Sequence, residues 1–401
     1  MPLKPTLRTA DYQYALPDAK IARAPLPRGK SKLLLYRQKT IAETLYQRLP
    51  EHLPQGAHLI FNETKVVQAR LLFPIGDSGF IEVFCLEPYR QMSAELTMQQ
   101  PSPLTLHCLV GKAKKWKDHP LSLPLSGGTL TASKKSRSEG IFQIEFYWDT
   151  RQTFAEVLAE LGKTPLPPYL KRPATAADAE NYQTVYARTE GSVAAPTAGL
   201  HFNESILKEL RAKGFTQSKL VLHVGAGTFK PMTGENVADH HMHGEEFAID
   251  THFLAEIIGA IQAQKPLIPV GTTSLRALES MYWLGCLIHY NLLENWLVPQ
   301  WIGFEHEFTA LPPGEAFSAL RQKLQAQQTE RLIARTELMI APGYRHRTIK
   351  GLLTNFHQPG STLLLLVASL IGEDWRKVYQ YGLENDFRFL SYGDGCYLER
   401  S

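Results

Sequence analysis

Residues 240–246 read His240-His241-Met242-His243-Gly244-Glu245-Glu246, three histidines and two glutamates in seven positions. Such residues can ligate a metal, move protons near neutral pH, or form a polar loop. The His-Glu-x-x-His zinc pattern is absent, and an open zinc site here needs at least one further ligand from elsewhere in the chain. A histidine beside a carboxylate can act as an acid or base without that help. Other stretches carry suitable groups. GSVAAPTAGLHF (191–202) is built of small residues and ends just before a helix start. It suits close backbone approach to an anion, or equally a tightly packed connection. GAGTF (225–229) lacks the full glycine spacing of a dinucleotide loop and the lysine of a P-loop. VGTTSLRALES (270–280) offers hydroxyls and helix-start amides at Thr272, Thr273 and Ser274. Arg276 and Glu279 fall on one helical face, where a surface ion pair is the plainer account.

These loops need elements to hold them. The chain has 401 residues, 44% hydrophobic and 20% charged, enough for two or three domains with real cores. The net charge of +4 is compatible with a polyanionic partner without pointing to one. Cys85, Cys108, Cys286 and Cys396 form no Cys-x-x-Cys pair, which argues against zinc ribbons and disulfide scaffolds. The N-terminus has no signal-like apolar segment, and the longest apolar run, 363–371, is too short to span a bilayer. A soluble cytoplasmic protein with reduced thiols is expected.

KLLLY (32–36) and HLIF (58–61) have strand length. From about Leu72 to Asp149 the pattern is strands and turns without a convincing helix, and Phe142, Ile144, Phe146 and Trp148 alternate on one face. The fold class expected is α/β: a mixed α/β main domain (1–70 and 150–401) with an inserted all-β, barrel-like domain (71–149). In the insert, Lys112, Lys114, Lys115 and Lys117 flank Trp116, either as solvated hairpin tips or as contacts to a phosphate backbone. Phe154, Val157, Leu158 and Leu161 predict a helix ending at Gly162, and Asn203 predicts the cap of another. Strand, small-residue loop and helix then recur from 219, 265 and 351, so that loops 225–228, 271–273 and 355–361 should line one cleft. Residues 284–336 read as an elaboration ending in a polar helix, QKLQAQQTERLIA.

Ten segments occur in order: DYQYALP, FNETKV, YQTVYA, GSVAAPTAGLHF, LHVGAGTF, the H-x-M-H-x-E of 240–245, VGTTSLRALES, PGY, TNFH-x-P-x-ST and RF-x-SYGD. Together they resemble the S-adenosylmethionine:tRNA ribosyltransferase-isomerase family of queuosine biosynthesis, over nearly the whole chain except 284–336. The resemblance implies an α/β domain with a β-barrel insert. It implies transfer of the ribosyl part of S-adenosylmethionine to 7-aminomethyl-7-deazaguanine at the wobble position of a GUN-anticodon tRNA. Isomerisation gives epoxyqueuosine; adenine and methionine leave. S-adenosylmethionine is a consumed substrate, with no metal, no other cofactor and no membrane; a monomer is favoured. The proton-transfer groups implied are His201, His223, His243, Glu245 and His357. Substrate contacts implied are Asn62, Thr64, Lys65, Thr197, Gly199, Gly225, Gly227, Thr228, Thr272, Thr273, Arg276, Asn355, Tyr392 and Asp394, with Arg276 able to grip the methionine carboxylate.

The chain departs from the family pattern at Glu63, within Arg28-Gly29-Lys30-Ser31-Lys32 where the family has R-D-x-S-R, at Gln358 and Gly360, and at Gly395-Cys396. These changes keep open a divergent paralogue that uses the same donor with another nucleobase or a small-molecule acceptor. If the basic stretch meets RNA, neutralising Lys114, Lys115 and Lys117 together weakens tRNA binding and flattens its salt dependence by roughly two to three in log–log slope. An unchanged slope in a filter-binding titration would mark the stretch as a solvated hairpin.

Overall fold

The strand His58–Asn62 has no exposed residue and lies between two parallel neighbours, Leu267–Pro269 and Thr216–His223. A continuous apolar run is what a strand covered on both faces requires. The sheet continues through antiparallel Glu245–Asp250 and Arg331–Thr336 and ends at a short parallel edge, Leu297–Val298. A second sheet has four strands in the order Gly351–Asn355, Gly395–Glu399, Lys32–Arg37, Thr40–Leu45. The computed structural model describes residues 4–76, 79–89, 92–117, 119–138, 140–225, 232, 234–304 and 310–400.

The helix Thr272–His289 packs on strands of both sheets and is buried around nearly its whole circumference, from Ser274 to Cys286. A helix apolar all round belongs inside a protein rather than on its surface. Leu275, Leu278, Met281 and Tyr282 join the main core with the apolar helix Thr362–Ile371, whose N-cap is the Ser361 side chain.

Between Arg70 and Trp148 the chain forms a curled, wholly antiparallel six-stranded sheet with its own core. Phe142, Ile144, Phe146 and Trp148 point into that core, while Tyr147 is 56% exposed, as a period of two demands. The helix Phe154–Leu161 covers it, held by a reciprocal capping box between Thr153 and Glu156. The α/β class and the barrel-like insert are therefore both present.

Some expectations need correction. A short helix, Ala94–Met98, sits inside the all-β stretch, capped by Ser93; at five residues it is too short to show a helical period. The expected polar helix over 322–334 is a helix, Pro313–Ala326, followed by the strand Arg331–Thr336. Arg331 and Arg335 face solvent while Ala334 and Thr336 are buried, so this segment follows the period of a strand. Residues 284–336 are thus part of the body: they contain the end of its longest helix and two of its strands. Glu279 is no surface group either. It is fully buried and accepts hydrogen bonds from Tyr344 and Thr348 hydroxyls, each at 2.6 Å, and from the backbone of Arg347 and Thr348.

Gly285 marks the crossing of helices Thr272–His289 and Pro313–Ala326: a Cβ there would stand 2.0 Å from the Ala316 carbonyl oxygen. Gly285→Ala is expected to lower stability by about 1–3 kcal/mol through overpacking, despite alanine's better helix propensity. A urea midpoint at or above that of the parent would show that the crossing can open without cost.

Candidate active site

The loops after three strands meet at one end of the body. Ala194–Ala198, Gly271–Thr273 and Thr354–Gln358 line a first hollow. It shares Thr272, Thr273 and Leu363 with a second, which adds His240, His243, Glu245 and Arg276. The second shares Gly225, Gly244, Glu245 and the barrel residues Leu86 and Glu87 with a third. The three make one trough running from the sheet ends to the barrel.

At the first hollow the helix Thr272–His289 begins without a side-chain cap, so the amides of its first turn are available to a ligand oxygen. Thr273 Oγ1 also has no hydrogen-bond partner. Thr197 donates to Asn355 Oδ1 at 3.0 Å, and Asn355 Nδ2 donates to His201 Nε2 at 3.1 Å. The His201 ring stacks on Tyr46 with centroids 4.4 Å apart. Burial, with the charges of Arg388 and Arg28, pushes the His201 pKa down to about 3. Burial does the same to His357, again to about 3, where Nε2 lies 2.8 Å from Thr354 Oγ1. Both imidazoles are therefore neutral at pH 7. They serve as fixed polar groups in this site, not as stores of a proton.

The second hollow holds the histidine loop. Gln300 clamps it, donating to the His240 carbonyl at 2.6 Å and accepting from the Met242 amide at 3.1 Å. His243 stays exposed on this loop. Behind it Glu245 and Arg276 form a buried ion pair. Arg276 also donates to the carbonyls of Leu338 at 3.1 Å and Thr336 at 2.9 Å. Its guanidinium is thus taken up by protein groups, which revises the expectation that it grips a substrate carboxylate with both arms. Thr64 Oγ1 lies 2.9 Å from His223 Nδ1, at the third hollow.

The trough thus gathers His223, His243, Glu245, His357, Thr197, Gly225, Thr272, Thr273, Arg276 and Asn355. Thr64 reaches it through His223, and the other described ones lie outside it. Asn62 ties adjacent strands through Leu222, with its amide donating to that carbonyl at 2.9 Å. Lys65 pairs with Glu190 at 2.8 Å. Gly199 leaves room for the Tyr186 hydroxyl. Tyr392 donates to Asp178 at 2.9 Å, and Asp394 accepts from the amides of Lys32 and Arg388. His201 sits one layer behind the wall, reaching it through Asn355. Gly227 and Thr228 lie outside the described residues. Lys112, Lys114, Lys115 and Lys117 are exposed, whereas Trp116 is buried and donates to the His119 carbonyl at 3.0 Å.

Sequence spacing did not reveal Gln300, Tyr46 or Glu95. Glu246 was visible beside Glu245, and both line the third hollow. The departures also find a place. Gly360 has φ +65°, and a Cβ there would stand 2.4 Å from Gln13 Nε2, so a side chain at this position strains the turn and requires Gln13 to move. Arg28, the arginine kept beside the Gly29 departure, holds the small-residue loop, donating to the carbonyls of Leu200 and Gln183. Among the described residues, no group of three or more His, Cys, Asp or Glu is placed to hold a metal, and no helix is long and apolar enough to cross a membrane.

A largely apolar trough with a few convergent polar groups at strand ends, roofed by a curled β insert, defines an enzyme cleft on a mixed α/β body. The family model described as queuosine biosynthesis protein matches residues 9–398, and the chain belongs to that family. An S-adenosylmethionine:tRNA ribosyltransferase-isomerase of Nitrosomonas eutropha is 34% identical over 397 residues, covering 98% of this chain and 99% of the relative. Its counterpart in Halothermothrix orenii is 35% identical over 400 residues, covering 98% and 100%. A solved S-adenosylmethionine tRNA ribosyltransferase from Thermotoga maritima is 22% identical with a TM-score of 0.46, covering 96% of this chain and 99% of that one.

Arg276→Met leaves Glu245 charged and unpaired inside the protein and is expected to cost about 3–5 kcal/mol. The double variant Glu245→Gln/Arg276→Met should recover a large part of that loss in denaturant titrations. Equal destabilisation of single and double variants would show that the carbonyl contacts of Arg276, not the charge pair, carry the effect.

Proposed function

We propose that the chain transfers and isomerises the ribosyl moiety of S-adenosylmethionine onto 7-aminomethyl-7-deazaguanine at the wobble position of tRNA, giving epoxyqueuosine and releasing adenine and methionine. The observation that carries this reading is near end-to-end identity of about a third with relatives that bear this name. It favours this acceptor over a paralogue's different one. S-adenosylmethionine is consumed, the tRNA carries a GUN anticodon, and the reaction takes place in the cytoplasm.

The trough supplies groups that fit the chemistry. The sulfonium acidifies the adjacent C5′ proton, and a base must take it. His201 and His357 are fixed by their partners within the fold. His243 is exposed in the trough on a clamped loop and is the histidine best placed to accept that proton. The uncapped amides at Thr272 and Thr273 suit the methionine carboxylate, a role Arg276 is not free to take. Thr197 and Asn355 face the same hollow and suit ribose hydroxyls.

The test is adenine release from S-adenosylmethionine with and without tRNA bearing 7-aminomethyl-7-deazaguanine. Adenine and methionine are expected only with that tRNA, and His243→Ala should lower kcat by about 100-fold or more, the range of a lost general base. Binding of S-adenosylmethionine without release would sink the proposed acceptor. Full activity of His243→Ala would remove it as the base.

A further inference from the structure

The third hollow, about 2010 Å³ counting its open mouth, is left unused by the donor chemistry. It lies between the barrel and the body, and a nucleotide fits its size. Two flat rings stand in its walls: Tyr89, 51% exposed and edge-on to His107, and the half-buried Trp296. Deeper in, Glu246 lines the hollow, its Oε1 accepting from the Ala94 amide at 3.0 Å. His223 lines it as well; its side chain is 6% exposed and its Nε2 has no hydrogen-bond partner, standing 3.9 Å from Glu95 Oε1. The ring faces that carboxylate beyond hydrogen-bond length, so Nε2 can also meet a group that enters the hollow.

The two nearby carboxylates differ. The His223 ring and the Arg331 guanidinium facing Glu95 hold its pKa down at about 2, so it stays ionised and paired. Burial instead raises the pKa of Glu246, which therefore takes up a proton more readily than an ordinary glutamate. Divergent neighbours of this kind separate a structural charge from a proton acceptor.

We infer that this hollow is the acceptor subsite, where a flipped-out base carrying an aminomethyl group stacks against Tyr89 and Trp296 and presents its ammonium to Glu246. This rests on the ribosyl-transfer reading above. Single-stranded bases are commonly held by aromatic stacking with hydrogen bonds to their edges, and His223 Nε2 is available for such an edge. An alkyl ammonium resembles lysine, with a pKa of about 10, and has no lone pair for attack. One N–H bond breaks and one O–H bond forms as the proton passes to the Glu246 carboxylate, leaving a neutral amine and a neutral carboxylic acid. The amine then carries the lone pair that attacks the donor. The second hollow, continuous with this one through Gly225, Gly244 and Glu245, places the donor within the same trough.

The experiment compares the parent with Glu246→Gln and Tyr89→Ala, using tRNA that carries 7-aminomethyl-7-deazaguanine and the same tRNA with guanine. Turnover by the parent is measured first; its absence with the modified tRNA would overturn the ribosyl-transfer reading and this inference with it. Given turnover, Glu246→Gln should lower kcat/KM for the modified tRNA by about 10- to 100-fold, the range of one charge-assisted hydrogen bond. Affinity for S-adenosylmethionine and for the guanine tRNA should not change. Raising the pH toward about 10, where the free amine is neutral in solution, should restore part of the loss. Tyr89→Ala, at an exposed rim position, should raise KM for the modified tRNA and leave kcat alone. An active parent with both variants retaining its preference for the modified tRNA, or a Glu246→Gln defect that ignores pH, would overturn the inference.

Discussion

Glu245 and Arg276 bury opposite charges between the strand Glu245–Asp250 and the helix Thr272–His289. Neither charge can be left alone in that setting, so strand and helix must meet at this register. The guanidinium extends the constraint by binding the carbonyls of Thr336, the last residue of the next strand, and Leu338 just beyond it. The carboxylate extends it the other way, accepting from the Gly225 amide at 3.3 Å. Three loops and a helix start that surround the trough are thereby fixed relative to one another.

Around that pair the histidines divide by burial. His201 and His357 are deprived of water and stay neutral, which makes them reliable hydrogen-bond partners at any ordinary pH. His243 keeps its contact with solvent, and the Gln300 clamp steadies the backbone on either side of Met242. A single residue type thus stands in this site both as dry, fixed hydrogen-bond partners and as a solvated side chain, according to where water is excluded.

Much of this was legible in the chain. The buried strand 58–62, the alternation of Phe142, Ile144, Phe146 and Trp148, and the convergence of small-residue loops at strand ends all follow from local periodicity and connection rules. What stayed hidden depended on distance in sequence. Arg276 and Glu279 have the spacing of a surface ion pair, and only the packing of both helix faces shows that each is buried with other partners. Gln300 and Glu95 carry no pattern at all; they matter because the fold brings them to His240 and His223. Motifs pointed to Asn62, Gly199, Tyr392 and Asp394 as readily as to Thr272 and Asn355. Of these, the first four brace strands and loops behind the trough.

The curled sheet from Arg70 to Trp148 is inserted between strands that lie side by side in the body, His58–Asn62 and Thr216–His223. Arg70 and Lys163, at the two ends of the insert and its covering helix, face each other in an antiparallel bridge. Forming the barrel therefore also draws together the chain between those two strands, bringing Lys163 back beside Arg70. Closing a long connection costs entropy that grows slowly with its length, and the local antiparallel pairing of the insert shortens the connection that remains. The element that roofs the active site is thus also the one that shortens the path to the body's central strand pair.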